Sequence, residues 1–411
     1  MKYKDLPGNN KFCPLPWLGA MVLPQGTFKS CCIQELGNTA ALDSNLENFT
    51  IDEIRQSEYW NNVRKDLIHG TEHPSCNNCW NLERNNLKSI RNIRNNEFLY
   101  YMKDVMENLE IDVNGELTDN TIYHWDVRQT NLCNMKCVSC GPEYSSLINA
   151  EHNLENRLNI KSVIDANDTS KQDIFEQVDM HIEKVNSFYF AGGEPIISDL
   201  HWKILDRLIE TNNTTVRLSY NTNLLKLSYK GKNAIDYWKQ FENVNISASI
   251  DSVGTRAEYV RFGTVWSVID SNMKQINQEL PTASGVSITT SILTIGGLDE
   301  TIRWAKQFQY DIEEHKLLCN NLVYTPEFLS IKILPVYLKN SIWLKIKDEL
   351  ASLKDMRAYG AIEHELFTEV DHDKLIKLQQ SFKQYINRLD KIRNADITVA
   401  CPELSEWFSG L

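Results

Sequence analysis

Cys133, Cys137 and Cys140 stand at CX3CX2C spacing in NLCNMKCVSCGPE, directly after a strand-like segment ending near Gln129. Thiolates this close on a loop can converge on one inorganic centre. A structural zinc site normally closes with four ligands. An iron–sulfur cluster held by three cysteines leaves one iron open. An open position on a redox centre is a catalytic arrangement rather than a structural one.

The chain has 10 cysteines, and they are not scattered. Cys13, Cys31, Cys32, Cys76 and Cys79 lie in the first eighty residues, whereas Cys319 and Cys401 stand alone and read as small buried hydrophobes. Ten cysteines among 411 residues is far below the density of a disulfide scaffold. The N-terminus MKYKDLPGNN has no apolar core of a secretory signal, and no apolar run approaches a membrane span. The expectation is therefore a cytoplasmic protein with reduced thiols, where clustered cysteines bind metal or do chemistry.

Length predicts two to three domains with a sizeable core. The net charge of −12 argues against a surface that grips nucleic acid or an anionic membrane as a whole.

The elements that position these cysteines follow from patterning. Residues 1–110 are broken by Pro7, Gly8, Pro14, Pro16, Pro24 and Gly26, with a turn at 22–29 and helical patterns near 51–69 and 80–108. Arg84, Lys88 and Arg91 fall on one face of the second pattern, and 113–120 reads as a turn or linker. Strands are predicted at 121–129, 187–191, 215–221, 243–250, 285–294 and 328–336. Helices alternate with them near 170–185, 198–212, 232–241, 264–279, 298–310 and 338–355. Such alternation predicts βαβ units and a parallel sheet or barrel. The C-terminal part reads as helical, with stripes at Ile342, Ile346, Leu350, Leu353 and at Leu375, Leu378, Phe382, Leu389.

The predicted strands alternate instead of running continuously apolar. His124, Asp126 and Arg128 share one face, as do Arg217, Ser219 and Asn221, and Asn245, Ser247, Ser249 and Asp251. Ser287, Thr289 and Ser291 repeat the pattern. A closed barrel fills its interior with branched apolar side chains, so a polar face points to an open or partial barrel around a polar ligand. Asp126, Arg128 and Arg217 are the candidate substrate contacts on that face, with an internal salt-bridge network as the alternative.

CX3CX2C after one strand and FAGGEP (190–195) after the next resemble the radical S-adenosylmethionine (SAM) superfamily. The resemblance implies a partial (β/α)6 TIM-like barrel over 121–337. It also implies a [4Fe–4S] cluster on Cys133, Cys137 and Cys140, with SAM on the fourth iron. Reductive cleavage of SAM would give a 5′-deoxyadenosyl radical that abstracts hydrogen from substrate. The cofactor carries that chemistry, and the protein positions it and excludes water.

Residue by residue, Gly192, Gly193, Glu194 and Pro195 match the loop whose backbone meets the SAM amino group, where glycines permit close approach. Ser249 and Asp251 in SASID resemble the ribose-contacting segment, and Asn221 and Asn223 in SYNTN end a strand on the ligand side. Arg261 in EYVRFG resembles an arginine that pairs with the SAM carboxylate. This chain departs from the family at Ser139, where many members carry an aromatic residue that stacks on adenine.

Cys13, twelve residues, Gly26, four residues and Cys31 match the CX9–15GX4C element of SPASM and twitch extensions, which carry auxiliary clusters. Cys76 and Cys79 complete four ligands for a second iron–sulfur cluster. A zinc site satisfies the same arithmetic, and Cys32 is an alternative to Cys31. Here this domain (1–112) precedes the barrel, whereas in the family it usually follows. A helical extension (338–411) lies outside the resemblance.

The expected function is hydrogen abstraction in a peptide or protein modification or oxidation, fed by a low-potential flavodoxin- or ferredoxin-like donor. The alternatives are dehydrogenation or rearrangement of a sugar- or nucleotide-like small molecule, and a non-catalytic iron–sulfur electron-transfer protein.

Overall fold

The protein is described by a computed structural model covering residues 1–6, 11–308, 317–353 and 355–411, without the side chains of residues 4, 317–320 and 356. Cys319 therefore lies outside the described side chains, as does the end of the predicted helix 298–310. The chain divides into two compact units. One holds 1–133, 142–220 and 232–244, and the other holds 134–141, 221–231 and 245–411.

The strands are β1 (Gly19–Val22), β2 (Phe28–Lys29), β3 (His124–Val127), β4 (Lys136–Cys137), β5 (Ser187–Phe190) and β6 (Arg217–Thr222). They continue with β7 (Ser228–Tyr229), β8 (Lys232–Asn233), β9 (Asn243–Ser249), β10 (Arg261–Phe262), β11 (Ser284–Thr290) and β12 (Leu317–Leu322).

In the first unit β1 turns back antiparallel onto β2 and runs parallel to β3, with Gly19 opposite His124 and Val22 opposite Val127. β3 is parallel to β5, and β5 to β6. The first hundred residues thus contribute strands to the same sheet as β3. In the second unit β9 is parallel to β11, and β11 to β12. The chain is a mixed α/β protein with parallel pairing and intervening helices.

The expected alternation is visible as burial in β6 and β9, whereas β3 is buried at every position and β11 at all but Thr289. Leu218 and Tyr220 are fully buried in β6, whereas Arg217 and Ser219 are half-buried. Ile246 and Ala248 are buried in β9, with Ser247 and Ser249 more open. Helix Asp199–Glu210 covers apolar faces with Leu200, Ile204, Leu205 and Leu208, at the spacing of one helical stripe.

Several elements differ from the sequence expectation. The predicted strand 328–336 consists of tight turns, Glu327–Leu329 and Ile331–Ile333. Ser330 accepts from the Lys332 N–H and donates to Glu365 Oε1 at 2.6 Å, so side-chain turn chemistry overrides an alternating apolar pattern. The strand that follows β11 is β12. β11 stops at Thr290 because Thr294 Oγ1 accepts from the Ser291 N–H and donates to the Thr289 carbonyl.

The pattern at 80–108 is three helices, Asn77–Arg84, Ile90–Tyr101 and Lys103–Asn108. A left-handed Asn86 and a Ser89 cap break it. Arg84, Lys88 and Arg91 therefore share no helix face. Arg84 pairs with Glu72, and Arg91 pairs with Glu83, each at 2.6 Å.

The supposed linker 113–120 is pinned. Buried Arg64 donates to the Gly115 carbonyl and buried Arg55 to the Asn120 carbonyl. A Cβ on Gly115 would lie 2.1 Å from the Asn61 carbonyl oxygen, and φ there is +83°.

Candidate functional site

Cys133 ends a segment of the first unit, and Cys137 and Cys140 belong to the second. In the first unit, β3 leads through Thr130–Leu132 to Cys133. Asn131, completely buried, anchors this stem: Nδ2 donates to the Pro142 and Ser162 carbonyls, and Oδ1 accepts from the Ile164 N–H. The Cys133 N–H donates to Ser146 Oγ at 3.2 Å. Sequence reasoning missed Asn131 and Ser146, since a polar residue beside a cysteine carries no pattern of its own.

Gly192 and Gly193 follow β5 and lie against this stem. The Glu194 N–H donates to the Leu132 carbonyl at 2.8 Å, and the Gly193 N–H to the Thr130 carbonyl at 3.3 Å. A Cβ on Gly193 would sit 2.1 Å from the Leu132 oxygen, and one on Gly192, at φ +98°, would sit 3.1 Å from the Arg128 Cα. The close approach that requires glycine here is to protein backbone, where the sequence suggested a ligand. Glu194 is buried and accepts from the Ile196 N–H, capping the turn that begins at Pro195.

Cys137 lies in β4, which pairs antiparallel with β10, so Cys137 stands opposite Arg261 and Lys136 opposite Phe262. The Cys140 N–H donates to the Cys137 carbonyl at 3.2 Å and closes a tight turn. Arg261 Nε donates to Asp251 Oδ2 at 2.8 Å and Nη2 to Oδ1 at 3.2 Å, while Nη1 approaches the Cys137 sulfur at 3.8 Å. Asp251 Oδ1 also accepts from the Thr289 N–H at 2.9 Å. Burial pushes the Cys137 thiol up, and the Arg261 charge opposes that shift.

Asp251 and Arg261, expected on separate parts of SAM, are thus joined to each other. Asn223 Nδ2 donates to Asn134 Oδ1 at 2.7 Å, tying the segment after β6 to the cysteine loop. Asn221 is half-buried in β6, and Ser249 lies opposite Ser287. Ser139 lines a small cavity with Asp251, Thr289 and Ser291.

Cys13, Cys31, Cys76 and Cys79 line one cavity of the first unit, together with Leu15, Trp80 and Arg91. Cys32 does not line it. Burial pushes the Cys13 thiol up, and the charges of Cys76 and Cys79 push in the same direction. Burial also moves Cys76 up to about 11 and raises Cys79. Buried thiols held neutral in this way ionise when a metal supplies the compensating positive charge, so the donor set fits a thiolate-bound centre. Among the described residues, no three His, Cys, Asp or Glu side chains are gathered tightly enough to hold a single metal ion. Cys32 is acidified instead, first by the hydrogen bond from Cys31 and then by the Arg128 charge.

Buried Asp126 and half-buried Arg128 form a two-armed ion pair at 2.6 and 3.1 Å, so the structure brings them together. Arg217 is elsewhere. It opens β6 opposite Ser187, at the strand end away from the glycine loop, and stacks on Tyr101 at 5.3 Å. It lines a cavity of about 280 Å³ with Tyr101, Lys184 and Asn213.

The site therefore belongs to a mixed α/β protein in which a cysteine loop follows a parallel strand and a glycine loop packs on its stem. No family model matches the chain, and no curated protein matches it. Among solved structures it is similar to SuiB of Streptococcus suis, crystallised bound to the precursor peptide SuiA. The identity is 12%, the match covers 90% of this chain and 69% of SuiB, and the TM-score is 0.33. No helix of the described residues is long and apolar enough to cross a membrane.

Proposed function

We propose that the chain is a radical SAM enzyme with a partial (β/α)6 barrel core over 121–337, modifying or oxidising a peptide or protein. The observation that carries this reading is the Glu194 N–H on the Leu132 carbonyl. It fastens the GGEP loop to the stem that leads into Cys133, which supports reading the two motifs together. Cys133, Cys137 and Cys140 would hold a [4Fe–4S] cluster. With SAM bound, that group supplies reductive SAM cleavage and hydrogen-atom abstraction.

The chain's own residues do the positioning. Gly192–Pro195 present backbone to the SAM amino group, with Asn221, Asn223 and Ser249 as further contacts. Asp251 and Arg261 act as a pair that steadies Cys137. Residues 1–112 would form an auxiliary domain in which Cys13, Cys31, Cys76 and Cys79 hold a second iron–sulfur cluster. That cluster would take up the electron left on substrate, which favours a net oxidation. Asp126 and Arg128 enter as a coupled pair on the substrate side. A low-potential flavodoxin- or ferredoxin-like protein would supply electrons.

The test is anaerobic purification, iron and sulfide counting, then reduction by dithionite with SAM and a search for 5′-deoxyadenosine. Product is expected from the wild-type chain and none from Cys137→Ala. A full cluster complement without product overturns the reading. Deuterium transfer from candidate peptides into 5′-deoxyadenosine then identifies the substrate.

A further inference from the structure

The C-terminal helix His372–Arg393 is unaccounted for by any motif, yet it reaches the cysteine loop. Arg393 Nη1 donates to the Lys136 carbonyl at 2.9 Å, and Tyr385 OH donates to the Val138 carbonyl at 2.8 Å. These two carbonyls flank Cys137. The Arg393 guanidinium also packs on the Phe262 ring at 5.5 Å, and Lys136 lies over the same ring at 4.9 Å. Phe262 pairs with Lys136 across β10 and β4. The Val138 N–H is held by the Val260 carbonyl at 2.8 Å. The segment around Cys137 is thus hydrogen-bonded from the β10 side by backbone and from the helix side by two side chains.

The helix is built to hold that position. Asp371 caps its start, Asn394 in the left-handed conformation ends it, and Phe382, Ile386 and Leu389 bury one stripe. Asp390, on the same helix, accepts from Tyr259 OH at 2.7 Å and from the Ile397 N–H at 3.1 Å. The end of the helix is therefore fixed to the helix Gly254–Val260 that leads into β10.

We propose that Tyr385 and Arg393 are positioning residues for the cysteine loop. They lock the backbone on both sides of Cys137, and the Arg393 charge biases the reduction potential of the iron–sulfur centre that Cys137 would help hold. The proposal rests on the reading of the triplet as a cluster site. Hydrogen-bonded outer partners of metal ligands fix ligand geometry, and removing one costs about 10- to 100-fold in metal affinity. Hydrogen bonding and net charge near a cluster also set its potential.

The test uses the full chain with Tyr385→Phe, Arg393→Lys and Arg393→Met. Tyr385→Phe removes one oxygen, and Arg393→Lys keeps the charge, so both should fold with wild-type circular dichroism. Amide hydrogen exchange across 134–141, measured without iron, should be faster in all three variants, with the remainder of the second unit unchanged. After anaerobic reconstitution, chelator-driven iron loss should be about 10-fold faster or more in the variants. The midpoint potential should move negative in Arg393→Met and least in Tyr385→Phe. Unchanged exchange in 134–141 overturns the proposal, whether or not iron binds. Unchanged iron loss and potential in chains that hold the cluster also overturn it. A wild-type chain that takes up no triplet iron, with the exchange differences still present, refutes the cluster reading while leaving the positioning role standing.

Discussion

Arg261 grips Asp251 with two arms of its guanidinium, and its third nitrogen lies 3.8 Å from the Cys137 sulfur. The two side chains are 14% and 5% exposed, so neither charge is covered by water if the other is removed. Losing one partner of a buried pair costs about 3–5 kcal/mol, because the remaining charge stays desolvated. Asp251→Asn should therefore lower unfolding stability by that amount in urea titrations. Asp251→Asn combined with Arg261→Met should recover part of the loss. Strict additivity of the two substitutions would show that the pair is not the source.

The glycine loop gives a prediction with an internal control. Gly193→Ala places a methyl group 2.1 Å from a backbone oxygen that has no side chain to swing away. The loop must lift off the Leu132 carbonyl, at a cost of about 1–3 kcal/mol or more. Gly360→Ala, in the helix Met356–Phe367 with nothing within 4 Å of the new methyl, should stabilise by about 0.5–1 kcal/mol. Thermal unfolding of both variants reads the opposite signs, and equal shifts would contradict the contact.

His201 makes stability pH-dependent. Its ring is fully buried against Phe190, Trp202 and Tyr220, and burial pushes its pKa from 6.5 down to about 3. Nε2 lies 3.1 Å from Tyr220 OH. Between these two values the unfolded chain binds a proton that the folded chain refuses. Stability is therefore present above about pH 6.5 and is lost on acidification by roughly 1.4 kcal/mol per pH unit. His124, buried and likewise shifted down, adds in the same direction. Urea unfolding at pH 7.5 and 5.0 should show a drop of about 2 kcal/mol from His201 alone. His201→Gln should flatten that slope.

Cys79→Ala should destabilise the proposed auxiliary cluster and spare the one proposed on the triplet. Cys13, Cys31 and Cys76 would remain in the cavity, one short of the four thiolates proposed for the auxiliary cluster. Iron per chain should fall, while the electron paramagnetic resonance signal expected from the proposed triplet cluster persists. Four-cysteine zinc found in the wild-type cavity by metal analysis would replace the cluster assignment.

What could be read from residue order alone is local. The CX3CX2C and GGEP motifs, the period-two strands and the 3.6-period C-terminal stripes all lie within a few turns of chain, and backbone geometry carries them directly into structure. The strand expected at 328–336 failed because Ser330 and flanking prolines impose turns that hydrophobic periodicity does not register. The basic face of Arg84, Lys88 and Arg91 failed because one left-handed residue, Asn86, ends the helix between them.

The site divides the same way. Sequence alone determined which residues are thiols, glycines and charges, and in what order they follow each strand. Only the tertiary structure decided their partners. Arg261 meets Asp251 instead of standing free, Gly193 lies against Leu132, Cys31 and not Cys32 lines the cavity, and Arg393 reaches Lys136 across 257 residues of chain. A buried charge or hydrogen-bonding group must be satisfied wherever packing puts it. Its partner is chosen by the fold, and no spacing along the chain encodes that choice.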